Sequence, residues 1–188
     1  MTIYKIFADA INFQSFSYDN EDFLDILDPH VGELQAMRLG MVDTPVANFW
    51  EPLELSFFQN EGTVDLPDIG ICGPSLLGMN QKAYDAVAPL IGPLGEFLPC
   101  QLLGGTGYIF HCLNFKSISD DQVAYRTQNG MAYEVESLAF PGERDSIFMA
   151  QNAVTADLFC NESVVSAVKE ARLTGLVFSE NLARMVPA

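Results

Sequence analysis

Two apolar runs joined by a glycine-rich segment place the strongest restriction on how this chain folds. EFLPCQLL (96–103) and GYIFHCLNF (107–115) are rich in residues that favour strands, and GGTG (104–107) lies where they meet. A segment of this kind is typical of a β-hairpin, because glycine readily adopts the positive φ angles of tight turns. Antiparallel pairing is therefore predicted near the middle of the chain.

Other short runs predict further strands and few helices. Runs of this length with β-branched and aromatic residues favour strands. Asn80 and Asn161 are expected to cap two amphipathic helices, the second of which Gly175 helps to end. Many short strands and few helices predict an α+β fold, with a mostly antiparallel sheet and a few short capped helices in a single compact domain, residues 1–188. The strand-like runs are TIYKIFA (2–8), LELSFF (53–58), MAYEVESLAF (131–140) and LVF (176–178).

The two segments that follow these asparagines resemble each other. MNQKAYDAV and CNESVVSAV share the pattern x-N-[QE]-x-[AV]-x-x-A-V. Two capped amphipathic helices produce such a pattern by chance fairly often. We therefore interpret it as similar local chemistry and not as a proven repeat.

Negative charge is concentrated in the first part of the chain. The formal net charge is −16, and FSYDNEDFLDILDPHVGEL (16–34) contains six carboxylates without a lysine or arginine. Between residues 6 and 81, thirteen acids stand against one base, Arg38, whereas residues 82–188 hold twelve acids and seven bases. Such a field repels nucleic acid and anionic membranes and attracts basic proteins. Neither nucleic acid nor a membrane is expected as a partner.

Part of the acidic stretch is expected to form a helix over residues 20–28, begun by Asp19 or Asn20 and ended by Pro29. At about 100° per residue, its acids fall on one side and its apolar residues on the other. The repulsion between neighbouring acids lowers local stability, which indicates that this face serves binding. The candidate protein-binding residues are Asp19, Glu21, Asp22, Asp25, Asp28 and Glu33.

Other interpretations of the acidic stretch stay open. The acids are also compatible with a plain solvated face. A calcium site is a weaker alternative, because DNEDFL lacks the ligand order and the glycine of an EF-hand; no metal or cofactor is predicted. Phe16, Tyr18 and Trp50 are interpreted either as interface anchors or as core residues.

Catalysis is a second class of function. Cys100 can face His111 across the predicted hairpin, which would suit a hydrolase or transferase with a Cys–His pair. Both residues lie in apolar strands without an orienting Asn or Asp, so a packed thiol and a core histidine are favoured over this alternative. A third hypothesis is an acidic inhibitor that mimics nucleic acid.

The location of the protein is predicted from its first residues and its cysteines. MTIYKIFADAINF lacks the uninterrupted apolar segment of a signal peptide, and no apolar run is long enough to span a membrane. The four cysteines are scattered and lie in apolar contexts, as expected for buried reduced thiols. A cytoplasmic location is predicted.

Three segments carry a resemblance to a known family. Residues 65–102 contain a Pro-Asp-Ile lead, a capped helix and a Glu-Phe-Leu-Pro strand. GYIFHCLNFKSISDDQ (107–122) is a Tyr-hydrophobic-Leu-Asn strand that runs into an acidic turn, and residues 146–181 form a closing strand–helix–strand pattern. In these features residues 66–180 resemble the MXAN-type bacterial immunity proteins, which are found beside polymorphic and contact-dependent toxins. The acidic part, residues 1–62, matches no family.

The resemblance implies a non-enzymatic inhibitor of a toxin. Asn80 and Asn161 stand where the family usually has serine, a change that preserves capping. Toxins that attack nucleic acid hold phosphate in basic clefts, into which an acidic surface would be steered. The expected function is a cytoplasmic immunity protein that occludes the basic, nuclease-like active site of a cognate toxin.

Overall fold

The protein is built from short strands and short helices. Its structure, a computed structural model, describes residues 2–59, 62, 65–152 and 154–184. The helices in this part of the chain are α1 (Asn20–Val31), α2 (Glu33–Ala36), α3 (Gln81–Ile91) and α4 (Glu162–Glu170). The strands are β1 (Ile3–Ala8), β2 (Ser15–Tyr18), β3 (Glu54–Phe58), β4 (Ile69–Cys72), β5 (Leu76–Asn80), β6 (Gly95–Leu102), β7 (Gly105–Cys112), β8 (Phe115–Lys116), β9 (Val123–Gln128), β10 (Met131–Leu138), β11 (Ile147–Gln151), β12 (Ala156–Asn161) and β13 (Leu176–Ser179).

The strands form two large sheets and one separate hairpin. The larger sheet has the order β2-β3-β6-β7-β5-β4, the second sheet has the order β13-β1-β12-β11-β8, and β9 pairs with β10. Parallel pairing joins β3 to β6 and β8 to β11, whereas the other strand pairs are antiparallel. The predicted α+β fold with mostly antiparallel sheets and a few short helices is confirmed.

Both sheets contribute one face to a shared core with α3 and α4. Because strand residues alternate between faces, Leu77 and Met79 of β5 and Met149 of β11 point into this core. Val87 of α3 and Val165 of α4 pack into it as well. The second face of the larger sheet is thereby left for the N-terminal helices.

The N-terminal helices pack on that second face. Phe23 and Leu27 of α1 share a core with Leu98 and Cys100 of β6 and with Ile109 of β7. The acidic first part of the chain also supplies β2 and β3, which extend the larger sheet. This part therefore belongs to the same hydrophobic structure as the hairpin on which it packs.

A strand–strand–helix unit occurs twice. In β4-β5-α3 the backbone N–H of Asn80 donates to the carbonyl oxygen of Asp68, at 2.9 Å, and in β11-β12-α4 that of Asn161 donates to Ser146, at 3.0 Å. Each asparagine ends its second strand and caps the helix that follows. The sequence pattern shared by the two segments thus falls at the same place in two units with the same order of elements.

Two predicted helix ends are wrong. α1 continues past Pro29 to Val31, because a proline near the end removes only one hydrogen bond, and Gly32 with a φ of 85° ends the helix. α4 ends at Glu170, followed by Arg172 with a φ of 52°, so the left-handed residue that ends the helix is Arg172. Gly175 instead leads into β13.

The turn of the central hairpin is tighter than predicted. Leu103 and Gly104 form a two-residue turn with φ angles of 50° and 76°, and Leu102 pairs with Gly105. Two positive φ angles in a two-residue loop are the signature of a type I′ turn. The rest of the glycine-rich segment, including Gly107, therefore lies within β7.

Candidate functional site

Helix α1 has the predicted two-sided character. Phe23 and Leu27 are 3% and 0% exposed, whereas Glu21, Asp22, Asp25 and Asp28 are exposed. Asp19 differs from these acids because its Oδ1 accepts hydrogen bonds from the backbone N–H groups of Glu21 and Asp22, at 2.8 and 3.3 Å. Asp19 is therefore the N-cap of α1, one of the two residues predicted for that position.

The described residues do not neutralise the acids of the stretch. Among the residues that the structure describes, Glu21, Asp22, Asp25, Asp28 and Glu33 form no salt bridge, and their carboxylates accept no hydrogen bond. The same described residues contain no group of three or more His, Cys, Asp or Glu side chains that could hold a metal ion. The negative charge of this face is thus directed to solvent.

Folding adds two carboxylates that sequence reasoning missed. A cleft of about 290 Å³ between α1 and the beginning of β3 is lined by Asp22, Asp25, Glu51 and Glu54. A second cleft of about 240 Å³ also includes Asp25 and is lined by Asp28 and Glu33. Strand alternation in LELSFF could have placed Glu54 on an exposed face, but no local signal places it beside α1. The acidic surface, as named below, consists of Asp22, Asp25, Asp28, Glu33, Glu51 and Glu54.

Aromatic side chains hold α1 in place. The ring of Phe23 stacks on Tyr18, with centroids 4.4 Å apart, and contacts Trp50 edge to face at 5.9 Å. Nε1 of Trp50 donates to the carbonyl oxygen of Pro99 at 2.8 Å. Phe16 is 4% exposed and belongs to the core beneath the helix. The helix that carries the acids is therefore seated on a rigid aromatic support.

A buried polar cluster anchors the segment that leads to this support. Oε1 and Oε2 of Glu96 accept hydrogen bonds from the backbone N–H groups of Val46 and Ala47, at 2.8 and 3.0 Å. Oε1 also lies 2.9 Å from Nδ1 of His111. Burial raises the pKa of Glu96, but the hydrogen bonds from His111 and the two amides outweigh it, and the net pKa is lowered. Glu96 is therefore the carboxylate that fixes residues 42–47 against the sheet.

The structure does not bring Cys100 and His111 together. Cys100 pairs with Gly107 across the hairpin, and the residue opposite His111 is Glu96. Sγ of Cys100 donates to the carbonyl oxygen of Leu98 at 3.4 Å, and burial raises the pKa of this thiol to about 12. The predicted facing arrangement of the thiol and the imidazole is wrong.

The comparisons with known proteins identify no family for this chain. The chain matches no known protein-family model and no curated protein. Among the helices of the described residues, none is both long and apolar enough to cross a membrane. The functional interpretation consequently depends on the acidic surface and on the sequence resemblance.

Proposed function

We propose that this chain is a cytoplasmic immunity protein that binds a cognate toxin and covers its basic, nuclease-like active site with the acidic surface. The observation that carries the proposal is a set of exposed carboxylates on α1, at the start of α2 and beside the start of β3, which form no salt bridge with the described residues. The resemblance of residues 66–180 to MXAN-type immunity proteins supports it independently of the charge.

Several bases outside the acidic surface are already paired within the chain. Lys5 pairs with Asp157, Lys82 pairs with Asp68, and Lys116 pairs with Asp145 and Glu143. These bases are bound to carboxylates near them, whereas the acids of α1 have no such basic partner among the described residues. Because repulsion within the acidic surface costs stability, a basic partner would relieve a strain that the folded chain cannot relieve alone.

The negative charge of the acidic surface acts first on the rate at which the protein and the toxin associate. A cleft that holds phosphate groups is lined by Lys and Arg, and a carboxylate surface is attracted to it over about a Debye length. Such steering raises association rates by factors of about 10 to 1,000 and weakens with salt. The toxin would then be blocked because carboxylates occupy the positions that its substrate phosphates require.

The test uses an inactive form of the toxin encoded by the adjoining gene, with association followed at low and high salt. Reversal of Asp22 and Asp25 to Lys should slow association at low salt by about tenfold and flatten its salt dependence. The matched control reverses Glu170 and Glu180, two exposed acids outside the acidic surface, and changes the net charge equally. Equal slowing by both variants, or by neither, would contradict the proposal.

A further inference from the structure

A mainly apolar pocket lies next to the acidic surface. It has a volume of about 320 Å³ and lies between β2, α1, the end of α2 and the turn after β4. This volume is at the small end of the range for ligand pockets, roughly 300–1,000 Å³. It is large enough for a single large side chain. Most of its lining is apolar, with two polar residues, Ser17 and Asn20, beside Phe16, Tyr18, Phe23, Leu24, Met37, Gly73 and Pro74.

The floor of the pocket is fixed. The ring of Tyr18 stacks on Phe23, and its hydroxyl lies so close to Gly73 that a Cβ atom at that position would be 2.3 Å from the oxygen. Gly73 also has a φ of 59°, which strains other residues. The rim differs, because Met37 is 57% exposed and its unbranched thioether adapts to the shape of an occupant. A rigid aromatic floor with a flexible rim suits an aromatic ring.

Leu24 connects this pocket to the acidic surface. Its side chain lines the apolar pocket and also the cleft that contains Asp25, Asp28 and Glu33. An apolar group seated in the pocket therefore has carboxylates beside it on the α1 side. The complementary partner carries positive charge immediately next to a large apolar side chain, which is the arrangement of a hot spot within a charged rim.

We propose that the pocket receives an aromatic side chain of the toxin, and that arginine or lysine residues flanking this side chain pair with Asp25, Asp28 and Glu33. This assignment rests on the proposed function and adds the chemistry of the toxin segment that is recognised. The two parts of the surface have separate kinetic roles. The carboxylates accelerate encounter, and the buried aromatic ring slows dissociation, because most differences in affinity within one interface lie in the dissociation rate.

Two peptides test the pocket without the toxin. The probes are acetyl-GRRWRRG-amide and acetyl-GRRARRG-amide, with affinities for the full chain measured by fluorescence anisotropy and contacts mapped by NMR. The tryptophan peptide should bind about tenfold more tightly than the alanine peptide, with shifts centred on Leu24 and Met37. Met37→Ser should remove most of this preference. Met131→Ser, at a methionine 71% exposed on the separate hairpin, should leave it unchanged. Equal affinity for the two peptides, or shifts elsewhere, would overturn the assignment.

The complex with the inactive toxin separates the two proposals. Met37→Ser should raise the dissociation rate about fivefold or more without an effect on association, whereas reversal of Asp22 and Asp25 should slow association. A complex with charge-dependent association and a dissociation rate insensitive to Met37 would overturn the pocket assignment alone. Association that is insensitive to the charge reversal would instead overturn the proposed function.

Discussion

Nδ1 of His111 lies 2.9 Å from Oε1 of Glu96 in the interior of the protein, and Nε2 of the same ring lies 2.8 Å from the carbonyl oxygen of Val42. A carbonyl oxygen only accepts hydrogen bonds, so Nε2 must donate. Glu96 also accepts the backbone N–H groups of Val46 and Ala47. The imidazole ring of His111 thus joins the carboxylate of Glu96 on β6 to the backbone of Val42.

The first prediction concerns this buried pair. Glu96→Gln and His111→Gln should each lower the free energy of unfolding by about 1–3 kcal/mol at pH 7, because each leaves a buried polar group without its hydrogen-bond partner. The double variant should lose clearly less than the sum of the two, which a double-mutant cycle of urea unfolding curves would reveal. Glu170→Gln, at an exposed acid, serves as the control. Simple additivity would show that the two side chains are not coupled.

Acid should weaken the protein through Glu96 and Asp68. Burial raises the pKa of Asp68, but hydrogen bonds from Lys82, Asn80 and Thr174 outweigh it, and the net pKa is lowered. Because the folded-state pKa lies below the unfolded value of about 4, the contribution is complete above pH 4 to 5 and is lost as pH falls through the folded-state pKa. Asp68→Asn should therefore lower stability at pH 7 and flatten its decline in acid. Glu170→Gln, at an exposed acid, should retain the profile of the unchanged protein. An Asp68→Asn profile as steep as that of the unchanged protein would contradict the prediction.

Local features of the structure could be predicted from the sequence because neighbouring residues determine them. An asparagine before an amphipathic segment caps it wherever the segment packs, as Asn80 and Asn161 do. The two-sided character of α1 likewise follows from the spacing of Phe23 and Leu27 against the acids. In contrast, the position of Glu51 and Glu54 beside α1 depends on how β3 joins the sheet, which local spacing does not specify.

The register of the central hairpin could not be predicted from the apolar pattern of its strands. A turn centred on GGTG would place Cys100 opposite His111, whereas the turn at Leu103 and Gly104 places Glu96 there. The shift is four residues along β6. Because an even shift keeps each side chain on its own face of the sheet, the apolar pattern fits both registers equally well. The apolar pattern therefore could not predict that Glu96 pairs with His111.

The two hairpin turns make a direct comparison within one chain. Leu103 and Gly104 have φ angles of 50° and 76°, and Asn129 and Gly130 have φ angles of 53° and 79°. Asparagine tolerates the left-handed region, whereas leucine is strained there. Since Leu103 is 74% exposed, Leu103→Asn should raise the free energy of unfolding by about 0.5–1 kcal/mol. The reciprocal Asn129→Leu should lower it by a similar amount, and thermal unfolding measures both. A destabilised Leu103→Asn variant would show that this leucine contributes contacts beyond its turn.

The cap of α3 provides a graded test of capping. Oδ1 of Asn80 accepts from the backbone N–H of Ala83 at 2.9 Å, and Nδ2 donates to Oδ1 of Asp68 at 2.8 Å. Asn80→Ala loses both interactions and should cost about 2 kcal/mol, whereas Asn80→Ser retains an acceptor and should cost about half as much. Asn20→Ala, at an exposed residue just after the cap of α1, should change stability by less than about 0.5 kcal/mol. Equal losses for the alanine and serine variants at position 80 would show that capping contributes nothing there.

Thiol labelling separates packed cysteines from a reactive one. Cys72, Cys100, Cys112 and Cys160 are all free and buried. Burial raises the pKa of Cys112 to about 11 and that of Cys100 to about 12, and it raises the pKa values of the other two as well.

At pH 7 a pKa of about 11 leaves on the order of one thiol in 10⁴ ionised, and alkylation needs the thiolate. All four cysteines should therefore react with iodoacetamide far more slowly in the native protein than in urea, as followed by mass spectrometry. The protein unfolded in urea is the control for intrinsic reactivity, because all four thiols are then exposed to the reagent. Rapid labelling of Cys100 in the native protein would restore the thiol-dependent enzyme as a competing function, because a packed thiol in this environment cannot react at that rate.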